Sequence, residues 1–167
     1  MQNFFRLQPY FLAFYLLFLG VTLGALIACG AFSAPAIFRA PAIVPDLEMT
    51  LFQSGILMTS IFVKLNIVLN LTAVWILFYE ILSFRVSGAR VAPLLGLVSI
   101  VLIFLFTLYY TPYILQAQSL GEEGIANLAF DAMHTQSVYV FKTLMASLCL
   151  LFILRVLGAI NSGCKGK

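Results

Sequence analysis

Four long apolar runs, at residues 10–32, 61–84, 93–116 and 136–160, constrain this chain more than any other feature. At about 1.5 Å of rise per helical residue, each is long enough to cross a hydrocarbon layer of about 30 Å. Within that layer every backbone N–H and C=O must bond inside its own segment, and the alternating polar pattern of a membrane barrel is missing, so the spans are helices. The composition agrees, with 63% hydrophobic and 9% charged residues, whereas soluble domains hold roughly 45–50% apolar and about 25% charged residues. Soluble, disordered, collagen-like and small disulfide-stapled classes are thereby excluded. The expectation is an all-α polytopic membrane protein: a four-transmembrane-helix bundle forming one integral domain over residues 1–167. Sixteen Phe and seven Tyr suit a chain that faces the lipid bilayer, and a net charge of +3 gives no reason to expect a nucleic-acid partner.

Four crossings put both termini on one side. Arg6 precedes the first span, Arg85 and Arg90 occupy the second loop, and Lys165 and Lys167 follow the last span. The other two loops hold Arg39 beside Asp46, Glu48, Glu122, Glu123 and Asp131. By the positive-inside rule both termini are cytoplasmic, in a bacterial-type inner membrane, and the two long loops are outside. Pro45-Asp46-Leu47-Glu48 and Ser119-Leu120-Gly121-Glu122 read as helix starts. They predict extracytoplasmic helical extensions of helices 2 and 4 over 47–60 and 120–135, each about 20 Å long. The inner connection, residues 83–92, is a turn marked by Gly88 and followed by Pro93.

The first span ends in Leu26-Ile27-Ala28-Cys29-Gly30, which has the form of a lipoprotein cleavage box with Cys29 as the lipidation site. Its apolar run is longer than a signal peptide's core, and Gly20, Gly24 and Ala28 recur every four residues. Such a small-residue ladder lets another helix approach closely, which favours a retained span.

Polar groups inside spans are costly and usually face the bundle interior or reach for the interface. At 100° per residue, Asn66, Asn70, Ala73, Leu77 and Glu80 share one stripe of the second span. His134, Ser137, Phe141, Met145, Leu148, Phe152 and Arg155 share one on the fourth. Glu80 and Arg155 both fall near the inner ends, which predicts a structural ion pair. Counting back from it brings Lys142 level with Asn66, and His134 level with Thr59. The expected result is an outward-facing vestibule of His134, Ser137, Thr59 and Gln53, floored by Asn66, Asn70 and Lys142. Each residue also has a plainer structural role: the asparagines as interhelical hydrogen-bond glue, Lys142 and Lys64 snorkelling, and His134 as a rim residue.

No cluster has zinc or copper spacing, and the three cysteines, Cys29, Cys149 and Cys164, are scattered, so no disulfide framework is expected. Phosphate-binding glycine loops, dinucleotide fingerprints and a nucleophile elbow are missing. Ser137 and His134 lack a third group to orient them, so hydrolysis is not expected. Tyr109, Tyr110 and Tyr113 read as an aromatic belt.

Two stretches resemble a known family. GVTLGALIACGAFSAPAIF, residues 20–38, resembles the glycine-rich opening of the transmembrane-protein-205-like family (domain of unknown function 4149), with its Ala-Pro-x-x-Phe turn at Ala34-Pro35-Ala36-Ile37-Phe38. FDAMHTQSVYVFK, residues 130–142, resembles that family's entry to its last span, carried here by Phe130, His134 and Ser137. The family often places a further polar residue one turn deeper, where this chain has Phe141 and Lys142. More distantly, the layout is similar to copper-resistance-D-like and protoporphyrinogen-oxidase-J-like four-helix membrane proteins, a likeness that implies metal or haem at a histidine.

Three functions follow as expectations. The first is non-enzymatic binding or handling of a small solute, metal ion or haem from the outer side, with His134, Ser137, Lys142, Asn66 and Asn70 as ligand-binding residues and His134 as the metal ligand. The second is a structural or assembly subunit, a homo-oligomer or part of a larger membrane complex, docking through Gly20, Gly24 and Ala28. The third is a haem-dependent membrane oxidoreductase.

Overall fold

The computed structural model describes residues 2–87 and 90–164, with side chains described for 9–84 and 90–161. Arg6, Arg85, Gly88, Cys164, Lys165 and Lys167 lie outside the described side chains. Every regular element among the described residues is helical. Four helical stretches are long and apolar enough to span a membrane: Pro9–Phe38, Leu51–Phe84, Val91–Ser119 and Leu128–Asn161.

The first span is α1 (Gln2–Ile27), a π-helical segment (Ala28–Ser33) and α2 (Ala34–Phe38) in continuous register, since both Ile27 and Ala34 keep right-handed helical dihedrals. It therefore runs past Phe32, and Ala34-Pro35-x-x-Phe38 is helix rather than the turn that the sequence likeness implied. The third span repeats the device: α5 (Val91–Phe104), a π segment (Leu105–Tyr110) and α6 (Thr111–Ser119). Both π segments end two residues before a proline, Pro35 and Pro112. A proline inside a helix has no N–H to give and crowds the carbonyl four residues back. The turn before it widens instead, with Ala34 N–H donating to Cys29 C=O and Thr111 N–H to Phe106 C=O, each across five residues.

The other helices start later than the sequence motifs suggest. Asp46 sits at φ 63, a left-handed conformation that cannot begin a helix. After a single turn, α3 (Ala40–Ile43), the second span, α4 (Leu51–Ser87), begins instead at a capping box in which Gln53 N–H donates to Thr50 Oγ1 and Thr50 N–H to Gln53 Oε1. After α6 the chain turns at Gly121 (φ 81), where the missing side chain permits the left-handed backbone, and forms a single turn, α7 (Glu122–Ile125). Asn127 then caps α8 (Leu128–Cys164) by accepting the Phe130 N–H at 2.8 Å. The helical extensions before residues 61 and 136 thus start at Leu51 and Leu128, not at Leu47 and Leu120.

Each span packs on its two neighbours in the order one, two, three, four and back to one. Tyr15, Leu19, Thr22 and Leu26 form the buried stripe of the first span; Leu65, Leu69, Thr72, Ile76 and Glu80 that of the second; and Ser137, Phe141, Leu144, Leu148 and Leu151 that of the fourth. These spacings of three and four residues keep one helix face inward. In lipid such faces hold together by close packing and interhelical hydrogen bonds rather than by exclusion of water. Thr22 meets Thr72 at 2.7 Å, and Ser99 meets Ser147 at 2.7 Å. Each threonine also lies within bonding distance of its own helix carbonyl, on Phe18 and Val68. A hydroxyl has one proton, so one threonine closes the interhelical bond while the other donates to its backbone.

Candidate functional site

The end of the bundle where α1 starts and α8 ends is closed by one cluster. Arg155 of α8 forms an ion pair with Glu80 of α4, its Nε donating to Glu80 Oε1 at 3.1 Å and its second terminal nitrogen bonding Oε2. Arg155 also donates to Ser83 Oγ at 2.9 Å, while Tyr15 of α1 donates its hydroxyl to Glu80 Oε1 at 2.8 Å. Tyr79 stacks on Tyr15, with centroids 4.1 Å apart, and lies under the Arg155 guanidinium. Glu80 is 5% exposed. A carboxylate this buried is tolerable because charged and neutral donors together occupy its oxygens. Gly96 of α5 makes room for it, since a Cβ there would stand 2.8 Å from Glu80 Cγ. The cluster thus draws on all four spans.

The opposite, distal end is hollow. α1 packs on both α4 and α8, whereas beyond the π segment α2 packs on α4, and a cavity of about 580 Å³ lies between the distal parts of the four spans. Leu26, Phe62, Phe106, Phe141 and Met145 line its deep part. Phe62 and Phe106 meet Phe141 with ring centroids 5.5 and 5.6 Å away. Gly30 of the first π segment also lines it, and a Cβ there would come 2.8 Å from Phe141 Cε1. Phe106 belongs to the second π segment, so both widened turns face the cavity. Such turns are frequent at functional sites because they reposition side chains without breaking the helix.

His134, Ser137, Lys142 and Thr59 all line this cavity. Asn66 and Asn70 do not: Asn66 Nδ2 donates to Thr111 Oγ1 at 3.1 Å, and Asn70 Oδ1 accepts the Thr107 hydroxyl at 3.0 Å. Both amides face the third span because they sit roughly 100° and 140° around α4 from Leu65, at the edge of its buried stripe. Thr111 in turn donates to Phe106 C=O at 3.0 Å, so Asn66 braces the second π segment. Gln53 is used in the cap of α4. Leu77, placed on the inner stripe from sequence, is 47% exposed and faces outward.

Most polar groups in the cavity wall are already committed. Thr59 donates to Gly55 C=O and accepts from Gln118 Nε2, and Ser137 donates to His134 C=O. Three side chains on one face of α8 remain: Asp131, His134 and Lys142. His134 is exposed and lies flat against Phe130, their planes 8° apart. Among the described residues no three His, Cys, Asp or Glu side chains gather where they would hold a metal ion.

Gly20, Gly24 and Ala28 lie on the far side of the first span, about 170° from the Tyr15, Leu19, Thr22, Leu26 stripe at 100° per residue. All three are exposed, and a Cβ on Gly24 would meet nothing within 4 Å. Sequence reasoning missed Tyr15, Tyr79, Ser83, Thr107, Thr111 and Gln118. These are ordinary residues that matter only through partners on other helices, and the faint signal for Tyr15 was its place on a 15, 19, 22, 26 repeat.

Removing either partner of the buried pair leaves the other charge uncompensated. Glu80→Gln and Arg155→Gln are each expected to lower stability by about 3–5 kcal/mol. In the double variant Glu80→Leu with Arg155→Leu, most of that loss returns. Reversible unfolding in detergent micelles measures all three, and single variants within about 1 kcal/mol of wild type would contradict a structural role for the pair.

A family model described as Domain of unknown function (DUF4149) matches residues 17–123, well over half of the chain, and the chain belongs to that family. The matched stretch holds Glu80, Gly96 and both π segments, and stops before α8. No curated protein and no solved structure matches the chain.

Proposed function

We propose that this DUF4149 protein is a non-enzymatic membrane binder whose distal cavity takes up a small, largely apolar molecule from the bilayer. The cavity itself carries this reading. Its 580 Å³ falls in the range of pockets that enclose small ligands, its wall is mainly apolar, and a few uncommitted polar groups stand on one side. A soluble polar solute would leave most of that wall unused, whereas a lipid-like molecule would cover it.

A resident metal centre does not fit the donors present, because among the described residues Asp131 is the one other ionisable metal donor that lines the cavity with His134. Haem does not fit either. A single axial imidazole serves where the macrocycle is enclosed around it, and His134 is exposed and held flat on Phe130. A second reading, a structural or assembly subunit, is favoured by the exposed Gly20, Gly24 and Ala28 ladder, in which a Cβ on Gly24 would meet nothing within 4 Å. The charge asymmetry of the loops supports an inner-membrane orientation with cytoplasmic termini, which makes the cavity end the outer one.

Native mass spectrometry of protein released directly from membranes tests the binding reading. Wild type is expected to carry one apolar molecule, and Ala34→Trp, which fills the cavity wall, to lose it. A haem band or stoichiometric metal that disappears with His134→Ala would overturn it. An empty wild type that assembles into complexes broken by Gly24→Leu would favour the subunit reading. For the orientation, a reporter fused after Lys167 is expected to be active on the cytoplasmic side, and an extracytoplasmic signal would reverse the assignment.

A further inference from the structure

Lys142 stands in the middle of α8, within a stretch apolar enough to span the membrane, and it is exposed. Its side chain lines the cavity between Val138, one turn before it, and Met145, one turn after. Among the described residues it makes no hydrogen bond and no ion pair; the described ion pair of the bundle is Arg155 with Glu80. Its nearest carboxylate on the same wall is Asp131, eleven positions earlier on the helix, or about 16 Å along the axis. Glu80 is taken by Arg155 and Tyr15. An ammonium in the hydrocarbon zone is tolerated when it faces a cavity and finds a counter-charge. The cavity offers Lys142 space, and its lining carboxylate, Asp131, stands too far along the helix to pair with it.

Lys64 sets a useful contrast. It is also an exposed cation in a span, but it does not line the cavity. Of these two lysines, Lys142 is therefore the one that lines the cavity. Among the described residues no arginine lines the cavity. The wall thus lacks the planar fork that suits bidentate capture of a dianionic phosphate, and one ammonium matches one negative charge.

We infer that the cavity is built for an amphiphile with a monoanionic head, a long-chain carboxylate or the phosphodiester of a lipid, whose head pairs with Lys142 while its chain lies against Phe62, Phe106 and Phe141. This rests on the reading of the cavity as a binding site and adds the ligand's charge and the residue that selects it. Lys142 supplies selectivity: the apolar wall accepts any chain of suitable size, and the ammonium favours the acid over the corresponding alcohol.

The test uses the full-length protein in nanodiscs of zwitterionic phosphatidylcholine, with sodium palmitate, hexadecanol and phosphatidylglycerol as probes. Wild type is expected to bind palmitate or phosphatidylglycerol at least tenfold more tightly than hexadecanol, and whichever acid binds identifies the head. Lys142→Gln is expected to remove that preference, weakening the acid at least tenfold and hexadecanol less than twofold. Lys142→Arg is expected to keep it. Lys64→Gln, which removes the same charge outside the cavity, is expected to change neither. Equal affinity of wild type for acid and alcohol, or an acid preference that survives Lys142→Gln, would overturn the inference while leaving the cavity as a site for a neutral ligand. If Ala34→Trp leaves the binding of every probe unchanged, the cavity is not the site and both readings fall. Unaltered thermal unfolding of Lys142→Gln would separate lost binding from lost structure.

Discussion

The buried contact between Glu80 and Arg155 fixes the geometry on which the rest of this bundle depends. A carboxylate placed near the end of one membrane helix must have donors on its neighbours, and this one takes them from α1 and α8 while α5 yields space at Gly96. Four spans that share one charge cannot slide or rotate independently at that end. In lipid, where apolar helices gain little from burying apolar surface against each other, such polar ties and the Thr22–Thr72 and Ser99–Ser147 contacts decide which faces meet. The locked end leaves the opposite end free to diverge.

That divergence has a backbone cause. Pro35 and Pro112 each force a widened turn just before them, and the two widened turns face one another across the cavity. Beyond the π segment α2 packs on α4, while Phe106 in the third span is turned toward Phe62 and Phe141. The hollow is therefore not a packing fault among otherwise straight helices. It is walled by aromatic rings, braced by Asn66 through Thr111, and supplied with unpaired polar groups from α8 alone.

Much of this was legible in the sequence and some was not. Span number and helical character followed from run length, because the bilayer fixes both. Helix starts were read wrongly at Asp46 and Ser119, where several capping residues compete and only backbone conformation decides; Thr50 with Gln53 was the box actually used. Asn66 and Asn70 were assigned to the vestibule from a stripe within about 40° of one line at 100° per residue, yet a small rotation of the helix turns both to the third span. The prolines at 35 and 112 were visible, and their effect on the helix ladder was predictable in kind. That both would open onto one cavity depended on how the spans pair, which no single-span pattern contains.

The central claim is that the distal end is held open for a bound molecule while the proximal end is locked. Determining the structure of the protein in a lipid nanodisc tests it most directly. The expected result is continuous non-protein density among Leu26, Phe62, Phe106 and Phe141, reaching Lys142, with α2 still apart from α8. A distal end in which α2 packs against α8 and no space remains would contradict it.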